Sequence, residues 1–192
     1  MSIVIRYSDD QGRGLADVQG SDGRLNVSSR SDARSYYNSR DAHLTFAVPF
    51  AITLMDTGED FVAWRNASDG LELVISHVII SAFEAVDIKW HVGTGTPAAG
   101  TTIVPVNMNQ GSARSAPTDG SESVMMGTTT TPLTGLTSSG VVAHHGIGVV
   151  QQSERVDFHD EIRLGQNDTF FGEIEDASAP GYVRGTIYGY YE

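Results

Sequence analysis

The chain has 192 residues, 12 basic and 24 acidic side chains for a net charge of −12, and no cysteine. Disulfides, zinc–thiolate centres and thiol nucleophiles are therefore excluded, and a chain this acidic disfavours sequence-independent binding to phosphate backbones. A folded chain of this length buries roughly 70% of its unfolded surface, enough for one domain without a covalent staple.

The N-terminal stretch, MSIVIRYSDDQG, lacks the apolar run of a signal peptide. No later stretch approaches the roughly 20 apolar residues that span a bilayer. In SIVIRY, Ile3, Ile5 and Tyr7 fall on one face, the period of a short strand. From Ser8 to Asp41 the chain is Gly, Ser, Asp and Arg with isolated apolar residues, and we assign residues 1–42 to an extended N-terminal arm. Its six arginines and six aspartates cancel, so the 6 basic and 18 acidic residues of 43–192 carry the whole −12. The arm also holds Tyr36 and Tyr37 with no core to join. Together with Arg24, Arg30, Arg34 and Arg40 they have the composition of a contact surface, and an inter-subunit contact is expected there.

At His43 the texture changes. HLTFAVPFAITLM is β-branched and aromatic, with Pro49 marking a break, bulge or edge. FVAWRN, LELVISHVIISA and AVDIKWHV follow as strands, the last alternating Val86, Ile88, Trp90 and Val92 against Asp87, Lys89 and His91. TIVPVNM reads as the next strand, and residues 109–123 and 127–140 as loops. VVAHHGIGVVQQ, RVDFHDEIRL, TFFGEIED and GYVRGTIYGYY complete the series. SHVIISAFEAVDI has apolar residues at helical spacing, but its β-branched density favours strands. Short strands separated by Gly, Ser, Pro and Asp turns predict one all-β sandwich or barrel over 43–192. Val86, Ile88, Trp90, Ile103, Val104, Phe170 or Phe171, Val183 and Ile187 are its expected core, and Trp64 is ambiguous between core and surface.

No nucleotide-binding loop, nucleophile elbow or zinc motif is present. Three polar groupings remain. His144 and His145 are adjacent, so on a strand they point to opposite faces and cannot share a metal without a bulge. Asp157, His159 and Glu161 share a face that suits a divalent cation or acid–base work, but a solvated acidic face is the plainer reading. Glu173 and Glu175 have the spacing with which several sandwich glycosidases place acid and nucleophile, and again a solvated face is preferred. We assign no catalytic residue, no metal ligand and no cofactor, and expect no enzyme.

Three pieces together resemble small virion proteins of tailed bacteriophages, especially capsid decoration (cement) proteins and related head or tail accessory proteins. They are the arm NVSSRSDARSYYNSRD leading into an apolar strand, the run G-T-x-x-x-P-V-N-x-N-x-G-S within residues 92–116, and the terminal TFFGEIEDASAPGYVRGTIYGYYE. The resemblance implies a jelly-roll-like antiparallel β-sandwich with an extended arm, a homo-oligomer, often a trimer, and the major capsid protein as partner. It places the chain in the virion, on the capsid surface; from the acidic charge and the lack of a spanning stretch, neither nucleic acid nor membrane is expected as a partner. The alternatives are a receptor- or glycan-binding module of a tail or fibre and, from a third class, a glycan-active enzyme. Fold alone does not separate them.

Overall fold

A computed structural model of the chain describes residues 44–53, 56–117, 123–128, 131–148, 152–177 and 182–192. The assigned arm, including SIVIRY and the Arg24, Arg30, Arg34, Tyr36, Tyr37 and Arg40 grouping, lies outside the described residues. The described residues are all-β with no helix, arranged as two antiparallel sheets packed face to face.

Eight strands carry the architecture. They are β1 (Thr45–Thr53), β2 (Glu59–Arg65), β3 (Leu73–Ala82), β4 (Val86–Ala98), β8 (Thr134–Ile147), β9 (Glu154–Leu164), β10 (Asp168–Ala177) and β11 (Tyr182–Tyr191). Three short pieces, β5 (Thr101–Thr102), β6 (Val106–Asn107) and β7 (Val124–Met126), trim the edges. One sheet has the order β6-β1-β11-β3-β9 and the other β5-β7-β2-β10-β4-β8. Apart from β4 to β8, successive long strands fall in opposite sheets, so β1-β11-β3-β9 faces β2-β10-β4-β8. That is the strand order of a jelly roll.

The strands form because their inward positions are apolar and bulky. Phe46, Val48, Phe50 and Ile52 of β1 face the core, as do Val86, Ile88 and Trp90 of β4. Trp64 is fully buried and donates from Nε1 to Tyr191 Oη at 3.2 Å, which places it in the core. Three inward glycines receive these rings. A Cβ on Gly172 would lie 2.6 Å from Phe61, one on Gly189 3.1 Å from Trp64, and one on Gly185 2.7 Å from Phe50. The aromatic rings therefore lie on bare backbone, Phe50 and Phe61 on a neighbouring strand of their own sheet and Trp64 on a strand of the facing one.

Several expectations change. Val104 is not core but 78% exposed, while Ile103 packs against the core and donates its N–H to Val124 O at 2.8 Å. TIVPVNM is not a continuous strand. Its ends pair with different sheets, β5 with β7 and β6 with β1, and Pro105 lies in the crossing between them. Residues 134–140, expected as loop, belong to β8 and pair with β4. The stretch 137–142 is exposed residue after residue, so it lacks the alternation that marks a half-buried strand. Pro49 is held within β1, where β6 flanks only Phe46 and Ala47 and leaves the rest of that edge without a described strand beside it.

Candidate interaction surfaces

The outer face of the β2-β10-β4-β8 sheet carries two adjoining rows that run across the strands. In the first, Met125, Ala63, Phe171, His91 and Val141 stand side by side from β7 to β8. Ala63, Met125 and Phe171 are buried there with Leu133, a second small cluster outside the main core. Phe170 and Phe171 thus serve opposite faces, Phe170 the core and Phe171 this cluster. The second row is ionisable: Asp60, Glu173, Lys89 and His144 on β2, β10, β4 and β8. A register shift after Gly172 brings Asp60 opposite Glu173, and a second one after Ile174 leaves Glu175 without a register partner on β4.

These carboxylates are not simply solvated. Lys89 Nζ lies 3.2 Å from Glu175 and 3.9 Å from Glu173, His144 Nδ1 2.9 Å from Glu175, and His91 Nε2 2.9 Å from Glu173. The His91 ring stacks on Phe171 at 4.9 Å, and its Nδ1 meets Ser138 Oγ at 2.8 Å. Burial lowers the His91 pKa below that of a free imidazole, against the opposing pull of Glu173. Burial, helped by the Glu173 charge, raises Asp60 to about 6. His144, donating to Glu175, holds that carboxyl below its usual range with help from Lys89. Among the described residues no three ligand side chains converge as a metal site.

His144 and His145 diverge as adjacent strand residues must. His144 is exposed beside Glu175, whereas His145 turns inward and reaches Glu154 of β9 at 3.2 Å. Asp157, His159 and Glu161 are all exposed along β9, with Phe158 buried between them. His159 and Asp160 have φ of 52° and 59°, so this edge strand bends within its charged stretch. The Asp157 carboxylate accepts from the His159 N–H at 3.0 Å, a bond that depresses its pKa with help from Arg155. Charge and a local kink both protect a sheet edge from pairing with other chains.

At the opposite edge of the sandwich, the crossing from β5 to β6 presents Val104, Val106 and Met108, exposed by 78, 55 and 48%. Exposure alternates along 103–108, with Ile103, Pro105 and Asn107 half-buried between them, so the three side chains form a short outward ridge. The backbone beneath is pinned: Met108 N–H donates to Thr45 O at 2.9 Å, and the Asn107 side chain accepts from Asn109 N–H and donates to Arg114 O. Composition does not reveal this ridge, because valines beside a strand break read as core.

The fold and these surfaces define a jelly-roll sandwich with a ring-filled interior, an ionisable outer face and an apolar ridge. No family model, curated protein or solved structure matches the chain.

Proposed function

We propose that the chain is a virion protein of a tailed bacteriophage that decorates the outer capsid surface and reinforces the head by bridging capsid subunits. On this reading its work is binding, not chemistry. The observation that carries it is the exposed apolar ridge of Val104, Val106 and Met108, which lies within residues 100–112, one of the three pieces that carry the likeness to decoration proteins. Apolar side chains held outward on pinned backbone suit docking, since little ordering entropy remains to be lost. The Arg- and Tyr-rich arm supplies a second contact, with guanidinium forks suited to carboxylates on a capsid subunit or a neighbouring copy. We assign the assembly as a homotrimer.

Co-sedimentation with phage heads stripped of the protein tests the reading. The wild-type chain should pellet with the heads and raise their resistance to heat. Arg30→Ala with Arg34→Ala should weaken attachment more at low salt than at high salt, because screening already erodes the wild-type contacts. Failure of the wild-type chain to bind stripped heads would overturn it.

A further inference from the structure

We infer that the Val104–Val106–Met108 ridge is where copies of this chain meet one another, at the rotation axis of the oligomer. The inference rests on the proposed oligomeric decoration protein and assigns its self-contact.

Six large hydrophobic side chains are exposed among the described residues, and three of them belong to this run of five positions. Scattered exposed apolar residues need no explanation, but a clustered row does. Charge selects the occupant. Residues 43–192 sum to −12, so two copies repel wherever acidic surface meets acidic surface. Within 100–117 the only charged side chain is Arg114. The strands beside the ridge, β1 against β6 and β7 against β5, carry no Asp or Glu either, so like bodies meet little opposition there. An uncharged row of two valines and a methionine also offers no polar code for choosing a foreign partner. It is complementary to itself, and a patch beside a symmetry axis meets its own copies. The contrast with β9 is direct, because that edge is lined with Glu154, Asp157, Asp160 and Glu161.

Sedimentation equilibrium of the full chain over a range of micromolar concentrations tests this. The wild type should run as a trimer. Val104→Glu with Val106→Glu should run as a monomer with an unchanged circular dichroism spectrum, since both side chains are outside the core, and with a melting temperature that no longer rises with protein concentration. Val141→Glu with Val142→Glu, a change at the other exposed apolar pair, should leave the trimer intact. Because the chain has no cysteine, Val106→Cys provides an independent reading: mild oxidation should give a disulfide-linked pair of chains. A monomeric wild type, a ridge variant that stays trimeric, or a Val106→Cys thiol that never pairs would overturn the inference. If the wild type is monomeric yet the ridge variant loses binding to stripped heads, the ridge docks on the capsid, so the decoration reading stands and this inference falls. A ridge-dependent trimer that ignores stripped heads upholds the self-contact and overturns the decoration reading.

Discussion

Trp90 lies flat against Phe170, the two rings 5.3 Å apart and within 1° of parallel. They come from β4 and β10, neighbours in one sheet, and Phe61 and Phe158 meet them edge-on. Truncating Trp90 to Ala empties the centre of this stack and should cost about 3–5 kcal/mol. The Trp90 Nε1 has no hydrogen-bond partner among the described residues. Trp90→Phe removes that orphan donor along with part of the ring, so its loss should be clearly smaller. Urea unfolding of both variants checks the order.

Gly172 and Gly140 make a matched pair. A methyl group on Gly172 would meet Phe61 at 2.6 Å and Trp90 at 2.9 Å, whereas one on Gly140 meets nothing within 4 Å. Gly172→Ala should destabilise by about 1–3 kcal/mol through overpacking. Gly140→Ala should be neutral or stabilise by up to about 1 kcal/mol, since it only restricts the unfolded chain. Midpoints of thermal or urea melts decide the sign.

Tyr191 links the last strand to the core through its hydroxyl, which accepts from Trp64 Nε1 at 3.2 Å and donates to Pro117 O at 3.4 Å. Burial pushes its pKa upward. Tyr191→Phe strands the buried Trp64 donor and should cost about 1–3 kcal/mol. Equilibrium unfolding with Trp fluorescence reads both the loss and the change around Trp64.

Asp60 sets a pH dependence whose sign follows from its surroundings. Its carboxyl titrates at about 6 in the folded chain instead of at 3.8. Between those values the native state holds the proton more often than the unfolded state does, so Asp60 makes stability fall as pH rises through this window. His91 acts oppositely: its folded pKa is lowered, so the native state gains stability as pH rises toward 6.5. The Asp60 share is isolated by Asp60→Asn. That variant should be more stable than wild type at about pH 7, and the advantage should shrink to nothing by about pH 4. Melting temperatures across that range test it, and a constant difference would show that Asp60 is not the source.

Much of the sandwich is legible from alternation alone. Val86, Ile88 and Trp90 face inward as the period-2 pattern of AVDIKWHV requires, and SHVIISAFEAVDI divides into β3, a turn and β4. Where both sides of a strand are wet, as in β8 over residues 137–142, no periodic signal exists to read. Val104 reads as core because hydrophobicity alone cannot tell a buried valine from an exposed one. The ionisable row is hidden for another reason. Asp60 and Glu173 are far apart in the chain and become neighbours only through a strand pairing and a register shift. Each on its own looks like an ordinary acidic strand residue.

β11 lies in the interior of its sheet, between β1 and β3, with Thr45 opposite Tyr190 and Val183 opposite Ala82. Of the described strands it is also the one that leaves the ribosome last. Until it arrives, β6-β1 and β3-β9 are two separate ribbons with open flanks, and the sheet has no middle. Folding of the sandwich is therefore held back until synthesis reaches residues 182–191, and a chain stopped short of them presents unpaired edges of the kind that seed aggregation. A stop codon placed just ahead of Tyr182 should thus yield insoluble or degraded product, not a slightly trimmed protein.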